Sequence, residues 1–392
     1  MAEIPGCYPR TRSDSMVCRG FSGCRILPFG GESGSSFAQL VMTKPPILTC
    51  LGLATGLLSA AEVPQAEISN GQIRVKLYLP DAGKGYYRAT RFDWSGMIFS
   101  LEYQGHDFYG PWFHRLDPKV HDFIYLGSEI VAGPCSAATG PAEEFQTRGT
   151  ALGWDEAKAG GTFIKIGVGV LRKDDQDYSF AKLYEMVDPG KWTVKRLRGS
   201  VEFAHELADL SSGYGYLYRK TVRLTRGKPE MVLAHTLKNT GRRTIRTTVY
   251  NHNFLVLDGQ PPGPDFTIAV PYQIQSRRPP NKDLAEIRGN RVVYLKTLED
   301  RDLVHTGVQG FSDNPRDNEI RIENHHAGVG VRITGDRPLS DNALWSIRTV
   351  LAMEPFIAMV IEPGGEFTWK NSYEYFSIPP GRKLGASVKN LQ

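Results

Sequence analysis

Ile73-Arg74-Val75-Lys76-Leu77-Tyr78-Leu79 alternates apolar and polar residues without a break. Successive side chains of a strand point to opposite faces, so this stretch lays an apolar face on a core and a polar face to water. The same reading repeats along the chain, at 96–103, 162–171, 200–206, 216–224, 230–237, 244–250, 291–295, 319–323, 328–333, 346–352, 357–361 and 366–376. Turn residues separate many of these runs, among them Asn239-Thr240-Gly241, Arg288-Gly289-Asn290 and Pro363-Gly364-Gly365. No amphipathic period extends beyond about three helical turns. Only 207–212 suits one short helical turn. Serial short strands with turn signals between them predict an all-β fold, a large antiparallel β-sandwich. Composition shows no break over 62–392, so one domain is expected there. The Gly/Pro-rich stretches 133–142, 259–265 and 277–282 read as long loops, where binding residues tend to sit on a rigid sandwich.

The preceding segment has a different character. Residues 1–41 are rich in Gly, Ser, Arg and Cys and lack periodicity; they read as a disordered leader or a mistaken upstream extension. Met42-Thr43-Lys44, an apolar run over 46–58 and Ser59-Ala60-Ala61 then follow in the order of a secretory signal peptide. The expectation is a signal peptide over 42–61, a mature chain from near Glu62 and a periplasmic or secreted location. The run is too short for a membrane-spanning helix, and no other run reaches that length, so no stable membrane insertion is expected. Of five cysteines, Cys7, Cys18, Cys24 and Cys50 precede the cleavage point. Cys135 alone follows it, which excludes an intrachain disulfide in the mature chain.

Charge and motifs exclude several functions. The 47 basic and 42 acidic residues leave a net charge of +5, with no basic block interleaved with aromatics, so nucleic acid is not an expected partner. No cofactor or metal is expected. His325 and His326 would face opposite ways in a strand, and Gly167-Val168-Gly169-Val170 precedes no helix that would hold a phosphate. The Gly-x-Ser-x-Gly nucleophile elbow is absent.

Two residues stand out chemically. His252, in Tyr250-Asn251-His252-Asn253-Phe254, ends the β-branched run 244–249 and opens towards a Gly/Pro loop. A strand-end histidine is often only hydrogen-bonded to a neighbour, yet its ordinary pKa suits proton transfer near neutrality. Glu354 interrupts the apolar run Val350-Leu351-Ala352-Met353-Glu354-Pro355-Phe356. It reads either as an edge-strand residue facing water, which Pro355 favours, or as a carboxylate tuned by partial burial at the floor of a cleft. A histidine and a carboxylate in one pocket suit proton chemistry on a neutral polyol such as a sugar. Arg88, Arg91, Trp94, Trp112, His114, Glu143, Glu144, Trp154, Asp155 and Lys165 are candidate sugar contacts; core packing or a solvated face is the plainer reading of each. The expected substrate-binding set is Arg91, Trp112, His114, Glu144, Asp155, Asn251, Asn253 and Asp258.

These residues resemble the galactose mutarotase-like (aldose 1-epimerase) superfamily. The stretch Asn251-His252-Asn253-Phe254-Leu255-Val256-Leu257-Asp258-Gly259 is similar to that family's Asn-His-x-aromatic-x-Asn-Leu-x-Gly segment. Ile361-Glu362-Pro363-Gly364-Gly365-Glu366-Phe367, running to Tyr373-Glu374-Tyr375-Phe376, resembles its Pro-Gly-Glu turn and final aromatic strand. Glu354 falls shortly before that turn, as the catalytic glutamate does in the hexose-phosphate branch. The family's second histidine has no clear match; His114 and His121 lie in its region.

The resemblance implies a twisted antiparallel β-sandwich, the mutarotase-like supersandwich, with a sugar cleft on its concave face. It implies that His252 protonates the ring oxygen while Glu354, facing it across a sugar-sized cleft, removes the anomeric hydroxyl proton. The ring then opens, the C1–C2 bond rotates and closure gives the other anomer. The function expected is that of an aldose 1-epimerase-like isomerase acting on a free or oligomeric carbohydrate. The alternatives are a non-catalytic periplasmic carbohydrate-binding protein, or a lyase or hydrolase on the same scaffold.

Overall fold

The alternating stretch forms the strand Ile73–Tyr78, with Ile73, Val75 and Leu77 buried. In this computed structural model residues 63–379 are described, within the compact unit Ala61–Gln392. The expected leader and signal peptide fall outside the described residues. The described chain is nearly all β. Its helical element is one 3-10 turn, Pro315–Asp317, and no described helix is long and apolar enough to cross a membrane.

Two antiparallel sheets carry most of the architecture. A ten-stranded sheet runs Lys191–Leu197, Ser200–Asp209, Tyr214–Leu224, Glu230–Asn239, Glu366–Ser377, Val329–Gly335, Glu319–Asn324, Phe266–Ala269, Arg291–Tyr294, Ala285–Arg288. A five-stranded sheet runs Leu303–Gly307, Asp341–Ile347, Val350–Ile361, Ile245–Leu255, Gly140–Gln146. Three smaller sheets of four, three and three strands complete the fold. Phe145, Val249 and Ile357 of the five-stranded sheet pack with Tyr218, Leu237 and Trp369 of the ten-stranded one, which makes the two sheets a sandwich.

The sandwich interior is not wholly apolar. Glu143 points inward from Gly140–Gln146, where His235 Nε2 lies 3.0 Å from its Oε1 and Asn251 Nδ2 donates to that oxygen at 2.9 Å. Lys220 forms a short ion pair with Glu143 and donates to Ser95 O at 2.8 Å. Asn371 Nδ2 donates to Asn251 Oδ1 at 2.7 Å, and Tyr373 OH donates to Asn253 Oδ1 at 2.8 Å. Buried polar groups are tolerated where partners replace water, and here the partners come from both sheets.

Several strands differ from their sequence reading. The run 162–171 is a hairpin, Thr162–Lys165 with Gly169–Arg172, turning through Gly167 at φ +78°. A Cβ on Gly167 would meet Asp93 Oδ1 at 2.6 Å, so space as well as conformation requires glycine there. The run 346–352 spans another hairpin, closed by Ile347 opposite Val350. Leu207 belongs to the strand Ser200–Asp209 rather than to a helical turn. Gly140-Pro141-Ala142 is strand rather than loop. The histidine strand extends to Leu255, so His252 sits inside it and not at its end. Glu354 lies in a twelve-residue strand at the centre of its sheet, not at an edge. Pro355 has no N–H to give, and the ladder to the histidine strand lapses between the pairs Tyr250–Phe356 and Asn253–Met353.

Candidate functional site

Directly paired residues on neighbouring strands share a face, so the registers lay out the site. Gly307 pairs with Ala343, and Ala343 with Glu354. The pairs Tyr250–Phe356 and Asn253–Met353 set Glu354 opposite His252, which pairs in turn with Ala142. Gly307, Ala343, Glu354, His252 and Ala142 therefore form one row across the five-stranded sheet, on the face turned away from the sandwich interior. Asp341, Phe356, Tyr250 and Glu144 form the row on one side. His305, Trp345, Ala352, Phe254 and Gly140 form the row on the other.

His252 Nε2 lies 3.1 Å from Glu354 Oε1, which leaves no room for a sugar between them. The cleft-spanning arrangement implied by the family resemblance is thus replaced by an adjacent pair on one face. The His252 ring stacks on Phe254, with centroids 3.8 Å apart, and meets the edges of Phe92 and Trp345. Its side chain is 6% exposed and that of Glu354 15%, so Glu354 is the less buried member of the pair.

Burial disfavours charge on both partners. It pushes the Glu354 carboxyl up to about 7, with Arg91 opposing the rise and Glu144 and Asp341 adding to it. It pushes the His252 imidazolium well below its ordinary value; Arg91 acts in the same direction, Glu144 opposes and His305 adds a smaller push down. The contact near neutrality is therefore not imidazolium against carboxylate. His252 Nδ1 is buried and has no hydrogen-bond partner among the described residues. An N–H there would be an orphan donor, so the imidazole hydrogen belongs on Nε2, the nitrogen that lies 3.1 Å from Glu354 Oε1.

A second cluster flanks the pair. Arg91 Nε donates to Glu144 Oε2 at 2.8 Å, Tyr250 OH donates to the same oxygen at 2.5 Å, and Lys165 Nζ donates to Oε1 at 2.8 Å. Burial alone would raise Glu144, but Lys165 and then Arg91 hold it down at about 2. Two cations against one carboxylate leave net positive charge beside Glu354. The Arg91 guanidinium is also seated over the rings of Phe92 and Phe180, at 4.4 and 4.2 Å.

Of the expected substrate-binding residues, Arg91 and Glu144 stand in this cluster. The others are elsewhere. Asn251 and Asn253 alternate with His252 and so enter the sandwich interior. Trp112 is sealed behind Phe254, its rings stacked at 5.8 Å and its Nε1–H given to Ala138 O at 3.1 Å, so it offers no open platform. His114 Nδ1 accepts from Ile130 N at 2.9 Å. Asp155 is exposed. Asp258 lies in a loop, 2.7 Å from His106 Nδ1. Conversely, the half-buried Trp345, Phe356 and His305 border the pair without having been singled out from sequence. Phe356 was legible, two residues beyond Glu354; Trp345 and His305 depend on strand pairing. Among the described residues no three His, Cys, Asp or Glu are grouped as a metal site.

The arrangement is a carboxyl pushed up to about 7 by burial, in contact with an imidazole and bordered by the aromatic rings of Trp345 and Phe356. Such a group can give and take protons on a bound polar molecule.

No family model matches the chain, and no curated protein matches it. Solved structures similar to it include galactose mutarotase-like and aldose 1-epimerase proteins. A putative aldose 1-epimerase from Escherichia coli K12 is 12% identical, with 81% of this chain and 100% of that one covered and a TM-score of 0.47. A galactose mutarotase related enzyme from Lactobacillus acidophilus is 16% identical, with 82% and 100% covered and a TM-score of 0.47. A GalM/aldose epimerase homologue from C. elegans is 12% identical, with 81% and 100% covered and a TM-score of 0.46.

Proposed function

We propose that this chain is a carbohydrate-active isomerase of the aldose 1-epimerase type, in which Glu354 is the catalytic residue and His252 its positioning residue. The observation that carries this reading is the 3.1 Å contact between His252 Nε2 and a Glu354 carboxyl pushed up to about 7. As carboxylate, Glu354 takes the proton of the anomeric hydroxyl while the C1–O1 bond becomes a carbonyl and the C1–ring oxygen bond breaks. The resulting carboxylic acid gives that proton to the departing ring oxygen, so the enzyme ends as it began. Rotation about C1–C2 and closure on the other side of the carbonyl reverse both transfers. His252 donates from Nε2 throughout, holding one oxygen so that the other meets the sugar. Trp345 and Phe356 supply apolar walls for the ring.

The pH dependence follows from these directions. Glu354 must be ionised, so kcat/KM rises with pH through a midpoint of about 7. His252 is pushed well below 6.5 and contributes no falling limb in that window. His252→Phe removes a donor that favours the charged carboxyl, so its midpoint moves to higher pH. Polarimetry or saturation-transfer NMR on a panel of aldoses measures both profiles. A bell whose falling limb disappears in the variant would give His252 the acid role instead. Sugar binding without accelerated anomer exchange would make the protein a carbohydrate-binding one.

The proposal includes export, directed by residues 42–61. N-terminal sequencing of the protein from its native host should begin near Glu62. A soluble cytoplasmic form that retains these residues would refute export.

A further inference from the structure

The row that holds Glu354 continues beyond it. Ala343 and Gly307 occupy the next two strands on the same face, so small residues floor the path from the carboxyl to the sheet edge. Trp345 and His305 border that path on one side, Phe356 and Asp341 on the other. Neighbouring strands lie ~4.8 Å apart, so the edge strand is about 10 Å from Glu354. That is roughly the span of two sugar rings joined by a glycosidic bond.

A cavity of about 480 Å³ opens at that edge, lined by Gln275, Ser276, Arg277, Gln309, Gly310 and Phe311. Gln309 joins it to the row. Its side chain lies where a Cβ on Gly307 would be, the nearest atom 2.3 Å from that position. It donates to Asp341 Oδ1 at 2.8 Å and accepts from Arg277 N at 3.3 Å. Asp341 is also one of the groups whose charge raises Glu354, so the cavity's threshold and the carboxyl share a neighbour. Two amides, a hydroxyl, a guanidinium and one aromatic ring are suited to a hydroxyl-rich ring rather than to an apolar ligand.

We infer that the substrate is a reducing oligosaccharide of at least two rings, with the reducing-end ring over Glu354 and the next ring in this cavity. The catalytic half of this inference rests on the function proposed above; the cavity does not.

The test uses the full chain and matched reducing sugars: glucose with cellobiose and maltose, xylose with xylobiose, and mannose with mannobiose. For at least one pair, kcat/KM for anomer exchange should be about tenfold or more higher for the disaccharide, the gain of one or two good hydrogen bonds. Gln275→Ala and Arg277→Ala, both at exposed positions, should each remove most of that ratio. A ratio near one for every pair, or a ratio that neither substitution lowers, would overturn the inference. If no sugar shows accelerated exchange, the isomerase reading fails by itself and calorimetric binding of the same panel decides the subsite. Tighter binding of a disaccharide that Arg277→Ala weakens would uphold it; equal binding, or none, would end it.

Discussion

Glu354→Gln is expected to lose ~10²–10⁴ of the anomer-exchange rate and to make the protein more stable above neutral pH. The first effect follows because the amide neither takes the anomeric proton nor releases one to the ring oxygen. The second follows from the raised carboxyl. A group whose folded-state pKa lies above its unfolded value favours folding when protonated and loses that advantage as pH rises through the folded value. For Glu354 those values are about 7 and the ordinary 4.5. At about 1.4 kcal/mol per pH unit, its ionisation costs the folded state about 3 kcal/mol above pH 7. Gln carries no such cost. Wild type and variant should therefore have equal stability at pH 4, diverge between 4.5 and 7, and differ by about 3 kcal/mol at pH 8. Urea denaturation at both pH values measures the difference. An inactive variant with no gain at pH 8 would show that the carboxyl is not held up by burial. An active variant would end its role as proton carrier. The combination is what a functional site that costs stability predicts.

Much of the fold was legible because a period of two needs only local sequence. Ile73–Tyr78, Tyr214–Leu224 and Glu366–Ser377 announce themselves by alternation, and the turns between strands by Gly and Asn. Where both faces are buried alternation vanishes, and the reading fails in a specific way. Ser346 through Ala352 looks like one continuous strand, yet Arg348 and Thr349 turn the chain between two strands that both sit in the sandwich.

The site divides along the same line. His252 and Glu354 were legible as unusual residues in apolar strands. Their contact was not, because cross-strand register depends on residues about a hundred apart in the chain. Asn251 and Asn253 could have been excluded from sequence alone: neighbours of an inner-strand His252 must point the other way. Trp112 shows the opposite difficulty. No local pattern separates a tryptophan that lines a cleft from one that packs behind it.

Lys220→Met should destabilise the protein by about 3–5 kcal/mol without adding any bulk, because it removes the ammonium from a buried carboxylate. Glu143 is fully buried. Burial pushes its carboxyl up, but Lys220 and then His235 outweigh that effect and hold it down at about 2. Asp93, 3.8 Å from the same ammonium, is raised by burial to about 6 despite the attraction of Lys220. With Met at 220, Glu143 would keep His235 and Asn251, and Asp93 would keep Ser95 and Tyr218, but no full cation would remain beside either. A depressed carboxyl contributes stability that is complete above its unfolded value and is lost as pH falls through the folded one. Wild type should therefore retain this contribution down to about pH 2, whereas in the variant the stranded carboxylate is a cost that protonation relieves, so the gap between the two forms is widest near neutrality and closes in acid. Adding Glu143→Gln should restore much of the loss, since the stranded charge, not the absent lysine, is what costs. Urea titrations of the three forms at pH 7, with an acid titration followed by circular dichroism, measure this. Equal stabilities would show that water or local rearrangement solvates Glu143. The network also bears on the outer face: Asn251 and Asn253 tie the strand inward on either side of His252, fixing where the imidazole meets Glu354. Protein that remains folded with Met at 220 should keep the midpoint near pH 7, because the charges around Glu354 are those of Arg91, Glu144 and Asp341.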